Sequence, residues 1–147
     1  MDNISRDLIL KEIPLFAGLS RLEFDLIKEK GKLREYKKGE VIYKEGSPPD
    51  AFYCVVLGRV VIYGRDQYGR EVALEYLHRG KYFGIISLLT GDTHSVTAQA
   101  INDCVILAIP KDDFDLVLHR IPGLAIHLSQ TLSRRLKNKD IHQKSIF

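Results

Sequence analysis

The sequence predicts a mainly β fold: a small antiparallel β-barrel or sandwich with helices before it and a long helix after it. Three observations predict it. Short runs of β-branched and aromatic residues recur between residues 32 and 110, each bounded by Gly, Pro, Asn or Asp. Apolar residues at helical spacing flank this stretch on both sides. The chain has 147 residues, a length that suits one domain with a single set of cores. The expected organisation is therefore one domain over 1–147, helical over 1–31, β over 32–110 and helical again over 111–147.

In the first zone Ile4, Leu8 and Ile9 fit one helical face, and Pro14 ends that pattern. Leu15-Phe16-Ala17-Gly18 reads as a short turn. Ser20 is an N-cap for a helix carrying Leu22, Leu26 and Ile27, with Glu23 at the N3 position of a capping box and Gly31 at its end. Strands are expected at Leu33–Tyr36, Val41–Tyr43, Ala51–Leu57, Arg59–Tyr63, Glu71–Leu77, Val96–Ala100 and Cys104–Pro110. Gly58 reads as a tight hairpin turn and Asp66-Gln67-Tyr68-Gly69 as a longer hairpin loop. Asp112, Phe114, Leu116, Val117 and Leu118 fit a short helix, and Pro122 suits the start of another. On that last helix Leu124, Leu128, Leu132 and Leu136 recur every fourth residue. Four residues turn a helix by about 400°, so this stripe drifts by ~40° per step, which suits packing against the chain's own barrel better than a straight coiled-coil seam.

Composition excludes several classes of function. The net charge of +3 is too small to argue for nucleic acid by itself. No apolar run approaches the ~20 residues of a membrane span, and Met1–Asp7 lacks the features of a signal peptide, so the cytoplasm is the expected compartment. Cys54 and Cys104 each sit in an apolar run and read as buried free thiols. The five histidines do not fall at metal-ligand spacing, and no nucleophile elbow is present, so neither a metal site nor an enzyme is expected. Arg134, Arg135, Lys137 and Lys139 read as the solvated face of the last helix.

One segment breaks the strand pattern, Tyr82 to Asp92. Gly84 permits a sharp turn, and the residues after it read as one short helical turn whose free N–H groups suit an anion. His94, Ser95 and Thr97 follow as further donors. Judged by residue physics alone, a buried connecting turn is favoured over an anion site.

The ordered set of motifs resembles the cyclic-nucleotide-binding domain of the catabolite-activator and fumarate-nitrate-regulator superfamily over nearly the whole chain. It comprises Pro14–Ser20, Tyr36–Ile42 with Glu45-Gly46, Asp50 with Tyr53, Val55 and Gly58, Gly80–Gly84 with Leu88-Leu89, Ser95–Ala100, and Leu132–Leu136. The resemblance implies a jelly-roll barrel and a cassette that holds a cyclic phosphate. Its candidates here are Phe83, Gly84, Ile85, Ile86, Ser87, His94, Ser95 and Thr97. It also implies a final helix that serves as lid and dimer contact, with Leu128, Leu132, Arg135, Leu136 and Lys139 as candidates.

At the key cassette positions the chain departs from the family. Ile85 stands where the family has a glutamate for the ribose, and His94 where it has an arginine for the phosphate. Losing two charge-assisted contacts weakens binding by about 3–5 kcal/mol, or two to four decades. Ile85→Glu together with His94→Arg is accordingly expected to gain affinity. The expected function is a sensor or regulatory domain that takes a cyclic nucleotide or other small effector weakly or atypically and signals through its last helix. The alternatives are a ligand-independent dimerisation or docking module, and the effector half of a helix-turn-helix transcription regulator. The expected partners are a weak homodimer and an effector domain in a longer parent chain, with no direct DNA binding and no membrane contact.

Overall fold

The computed structural model describes residues 3–142, with side chains from Arg6 to Asn138. Helix α1 (Asn3–Lys11), a 3-10 turn over Pro14–Phe16 and helix α2 (Arg21–Lys30) precede the β region. Strands β1 (Lys32–Tyr36), β2 (Val41–Tyr43), β3 (Ala51–Leu57), β4 (Val60–Arg65), β5 (Glu71–Leu77) and β6 (Tyr82–Phe83) follow. Helix α3 (Ile85–Thr90) interrupts them before β7 (Thr97–Ala100) and β8 (Cys104–Pro110). Helices α4 (Lys111–Arg120) and α5 (Pro122–His142) complete the described chain.

The strands form two four-stranded sheets in the orders β1-β8-β3-β6 and β2-β7-β4-β5, with every pairing antiparallel. This is the mainly β architecture with flanking helices that the sequence predicts. The two sheets face each other across one core, and the helices cover the outer face of the first sheet across a second.

The side-chain period of a strand explains how one sheet serves two cores. On β3, Ala51, Tyr53 and Val55 point between the sheets, whereas Phe52, Cys54 and Val56 point toward the helices. On β8, Ile106 and Ala108 take the inner face and Leu107 and Ile109 the helix face. Both runs are apolar without interruption because both faces are buried. On the second sheet, the edge strand β5 exposes Leu74 and Tyr76.

The helices dock by local rules. Ser20 and Glu23 form the capping box, with Ser20 N donating to Glu23 Oε1 at 2.9 Å and Glu23 N to Ser20 Oγ at 3.2 Å. The Arg6 guanidinium donates to the carbonyls of Lys28 and Gly31, satisfying the C-terminal end of α2 and tying α1 to it. Phe114 of α4 stacks on Phe52 of β3, with centroids 4.7 Å apart. Leu124 and Leu128 of α5 are buried, Leu132 is partly so, and Leu136 is 48% exposed. The stripe thus leaves the core as its drift requires.

Several local expectations are corrected. Gly58 does not turn a hairpin: β3 and β4 lie in different sheets, so it turns an arch from one sheet to the other. At φ 88°, with a Cβ that would lie 2.6 Å from the Asp103 carbonyl oxygen, only glycine fits there. Leu8 is 61% and Leu22 82% exposed, because the buried faces of α1 and α2 carry Leu10, Phe24 and Ile27 instead. The two-residue β6, too short to show a period, lies inside the segment read as a break in the strands.

Candidate functional site

The site begins at β6. Phe83 is fully buried between the sheets, 5.3 Å from the Tyr53 ring and stacked on it. Gly84 then turns the chain with φ 81°, in the left-handed region. A Cβ there would meet Tyr53 Cδ2 at 3.1 Å and the Ala51 carbonyl oxygen at 3.3 Å, so the close approach also requires glycine. The turn starts α3, and Gly91, again left-handed, ends it.

A cavity open to water over about 130 Å³ lies against α3. Of the cassette candidates, Gly84, Ile86, Ser87, His94 and Ser95 line it. Phe83, Ile85 and Thr97 do not. Phe83 belongs to the core between the sheets. Ile85 is fully buried in the helix-side core, because the Gly84 turn aims the first residue of α3 at that layer. The Thr97 hydroxyl accepts from the Glu45 backbone N–H at 3.0 Å and so serves the turn after β2. Ile85 therefore does not stand in the cavity where a ribose-binding carboxylate would be needed. A glutamate there would bury a charge in apolar surroundings, so no gain in affinity is expected from Ile85→Glu.

The lid candidates also lie elsewhere. Leu128 and Leu132 pack into the helix-side core, Arg135 lies over the Tyr82 ring at 5.2 Å, and Leu136 is exposed. None of these four lines the cavity. The Lys139 side chain is outside the described residues.

The centre of the site is a pair of rings. His94, 3% exposed, stacks on Tyr43 with centroids 3.7 Å apart and planes inclined by 11°. Tyr43 comes from β2 and His94 from the loop before β7. Two backbone bonds hold that loop to the turn after β2, Gly46 N to the His94 carbonyl at 2.7 Å and His94 N to the Ser47 carbonyl at 2.9 Å. His94 Nδ1 lies 2.8 Å from Ser87 Oγ, and Nε2 lies 3.7 Å from Asp50 Oδ1 with no hydrogen-bond partner. The second oxygen of Asp50 accepts from the Tyr53 hydroxyl at 2.7 Å. This arrangement favours the tautomer in which Ser87 donates to Nδ1 and the Nε2 proton faces the Asp50 carboxylate.

Burial pushes the His94 imidazole below its ordinary pKa, with Asp50 opposing the shift, so the ring is neutral at neutral pH. Burial raises the Tyr43 and Tyr53 phenols, which also stay neutral. Among the described residues, those lining the cavity include Asp92 and no lysine or arginine. The cavity thus presents a small opening, a neutral histidine, a carboxylate and the hydroxyl residues Ser87, Thr90, Thr93 and Ser95. The sequence reading missed Tyr43, whose approach to His94 depends on strand pairing, and the roles of Asp50 and Asp92.

Among the described residues no group of three or more His, Cys, Asp or Glu is placed to hold a metal, and no helix is long and apolar enough to cross a membrane. Both cysteines are free and buried.

Set beside known proteins, residues 33–120 match the family model for the cyclic nucleotide-binding domain, and the chain belongs to that family. It is 34% identical over 132 residues to the cyclic AMP receptor protein of Thermus thermophilus, covering 90% of this chain and 61% of that protein. The crystal structure of the Thermus thermophilus catabolite activator protein superposes with a TM-score of 0.81, covering 88% of this chain and 61% of that one. A cAMP-dependent protein kinase regulatory subunit of Mycosarcoma maydis is 35% identical over 91 residues, 62% of this chain and 17% of that protein. The chain thus spans about three-fifths of the length of its Thermus relative.

Proposed function

We propose that this chain is a regulatory domain of the cyclic nucleotide-binding type whose cassette holds cyclic nucleotides weakly or atypically, and that it signals through α5. The observation that carries this reading is the Tyr43–His94 stack beside a cavity whose described lining residues include no lysine or arginine. An anion needs fixed positive charge or several oriented donors to leave water. In this cavity the Ser87 hydroxyl, an otherwise suitable donor, is engaged by His94.

The link to α5 runs through β6. Tyr82 faces the helix layer under Arg135, and the next residue, Phe83, faces the core between the sheets. A shift of the cassette therefore reaches both faces of the first sheet within two residues. The same path suits a role in a longer parent regulator, with α5 leading to an output domain.

Isothermal titration calorimetry with cyclic AMP and cyclic GMP tests the reading. Binding two to four decades weaker than expected of a cassette with two charge-assisted contacts is expected, from the ~3–5 kcal/mol those contacts supply. Sub-micromolar binding of either nucleotide would overturn it.

A further inference from the structure

A second cleft lies on the other side of β6, between α5 and the turn joining β5 to β6. It offers about 320 Å³, within the ~300–1,000 Å³ typical of small-molecule sites. His78 and Lys81 line it from the turn, and His127, Thr131 and Arg135 from successive turns of α5. Tyr82, Pro14 and Leu15 also line it. Arg79 also reaches it and is paired with Glu12. Among the described lining residues there is no aspartate or glutamate.

One observation distinguishes this cleft from a solvated basic surface. Arg135 is half-buried, with its guanidinium 5.2 Å from the centre of the Tyr82 ring, which orients the planar fork. Lysine and arginine are donors only, and the Thr131 hydroxyl adds another donor.

We propose that the cleft between α5 and the β5–β6 turn is a second binding site, separate from the cassette cavity, for a small molecule bearing a phosphate group. Phosphate suits it because several donors converge from three elements on one acceptor-rich group, and arginine's fork binds phosphate oxygens in pairs. The ligand would bridge α5 to the strand next to Gly84, so its binding would hold α5 against the barrel. Effector control would then enter at the helix and leave the degenerate cassette unused.

The test uses the full chain and inorganic pyrophosphate as the probe, titrated by calorimetry at matched ionic strength. Saturable one-to-one binding with a dissociation constant of about 1 mM or tighter is expected. Arg135→Gln and Lys81→Gln should each weaken it by about tenfold or more. Failure to saturate, or equal binding by Arg135→Gln and Lys81→Gln, would overturn the proposal. Binding lost in His94→Gln and kept in Arg135→Gln would put the anion in the cassette cavity and overturn both this site and the reading of the cassette.

Discussion

Replacing His94 with alanine tests whether the neutral, stacked imidazole organises the cassette. The substitution removes a ring stacked at 3.7 Å, a contact contributing about 0.5–1.5 kcal/mol beyond its buried area. It also removes the 2.8 Å hydrogen bond to Ser87, about 0.5–1.5 kcal/mol net, although the freed Ser87 hydroxyl can then donate to the Gly84 carbonyl 3.3 Å away. Adding lost apolar contact, His94→Ala should cost roughly 2–3 kcal/mol at pH 8, or about 5–10 °C in Tm for a domain of this size. The pH dependence carries the sharper test. The folded-state pKa of His94 lies below its unfolded value of about 6.5, so the unfolded chain binds the proton more readily. The stability contributed by the neutral ring is therefore complete above pH ~6.5 and falls as pH drops from there toward the folded-state pKa. Urea unfolding of both proteins between pH 8 and pH 5 should show the gap between wild type and variant narrowing below about pH 6.5. A gap that widens on acidification would mean that the native ring takes up its proton more readily and that Asp50 outweighs burial, and a constant gap would mean that the two cancel; either would refute the reasoning.

Other outcomes follow from the packing. Leu128→Ala should lose about 2–5 kcal/mol in chemical denaturation, whereas Leu136→Ala, on the same stripe but 48% exposed, should stay within about 1 kcal/mol of wild type; equal losses would mean that the stripe does not drift out of the core. Ellman's reagent should label neither thiol quickly in the native protein, since both are buried and the Cys54 pKa is pushed up to about 12; rapid labelling of Cys54 would contradict the packing of β3. With Ile126 and Leu136 as the exposed large apolar residues of α5 among those described, a weak dimer through this helix is expected, dissociating at micromolar concentration in analytical ultracentrifugation. A dimer that persists at nanomolar concentration would refute it.

The local devices of this chain were legible because each depends on a few neighbouring residues. Ser20 and Glu23 cap α2, Pro122 opens α5, and the spacing of Leu124, Leu128, Leu132 and Leu136 foretells a stripe that leaves the core. The apolar runs Ala51–Leu57 and Cys104–Pro110 were readable as strands, and the ordered motifs identified the fold. The uses of those elements were decided in three dimensions. Hairpin and arch share the same local glycine, so only the pairing of β3 and β4 with different partners told what Gly58 does. The left-handed turn at Gly84 sent Ile85 to one core and Ile86 and Ser87 to the cavity, a choice no periodicity over so short a helix reveals. Tyr43 and His94 stack because β2 pairs with β7, which sets two distant residues face to face. Sequence by itself determined which segments become strands and helices, the two-residue β6 apart, since that depends on period and capping. The tertiary structure alone decided which side chains fill the cassette, because long-range pairing sets the direction in which each one points.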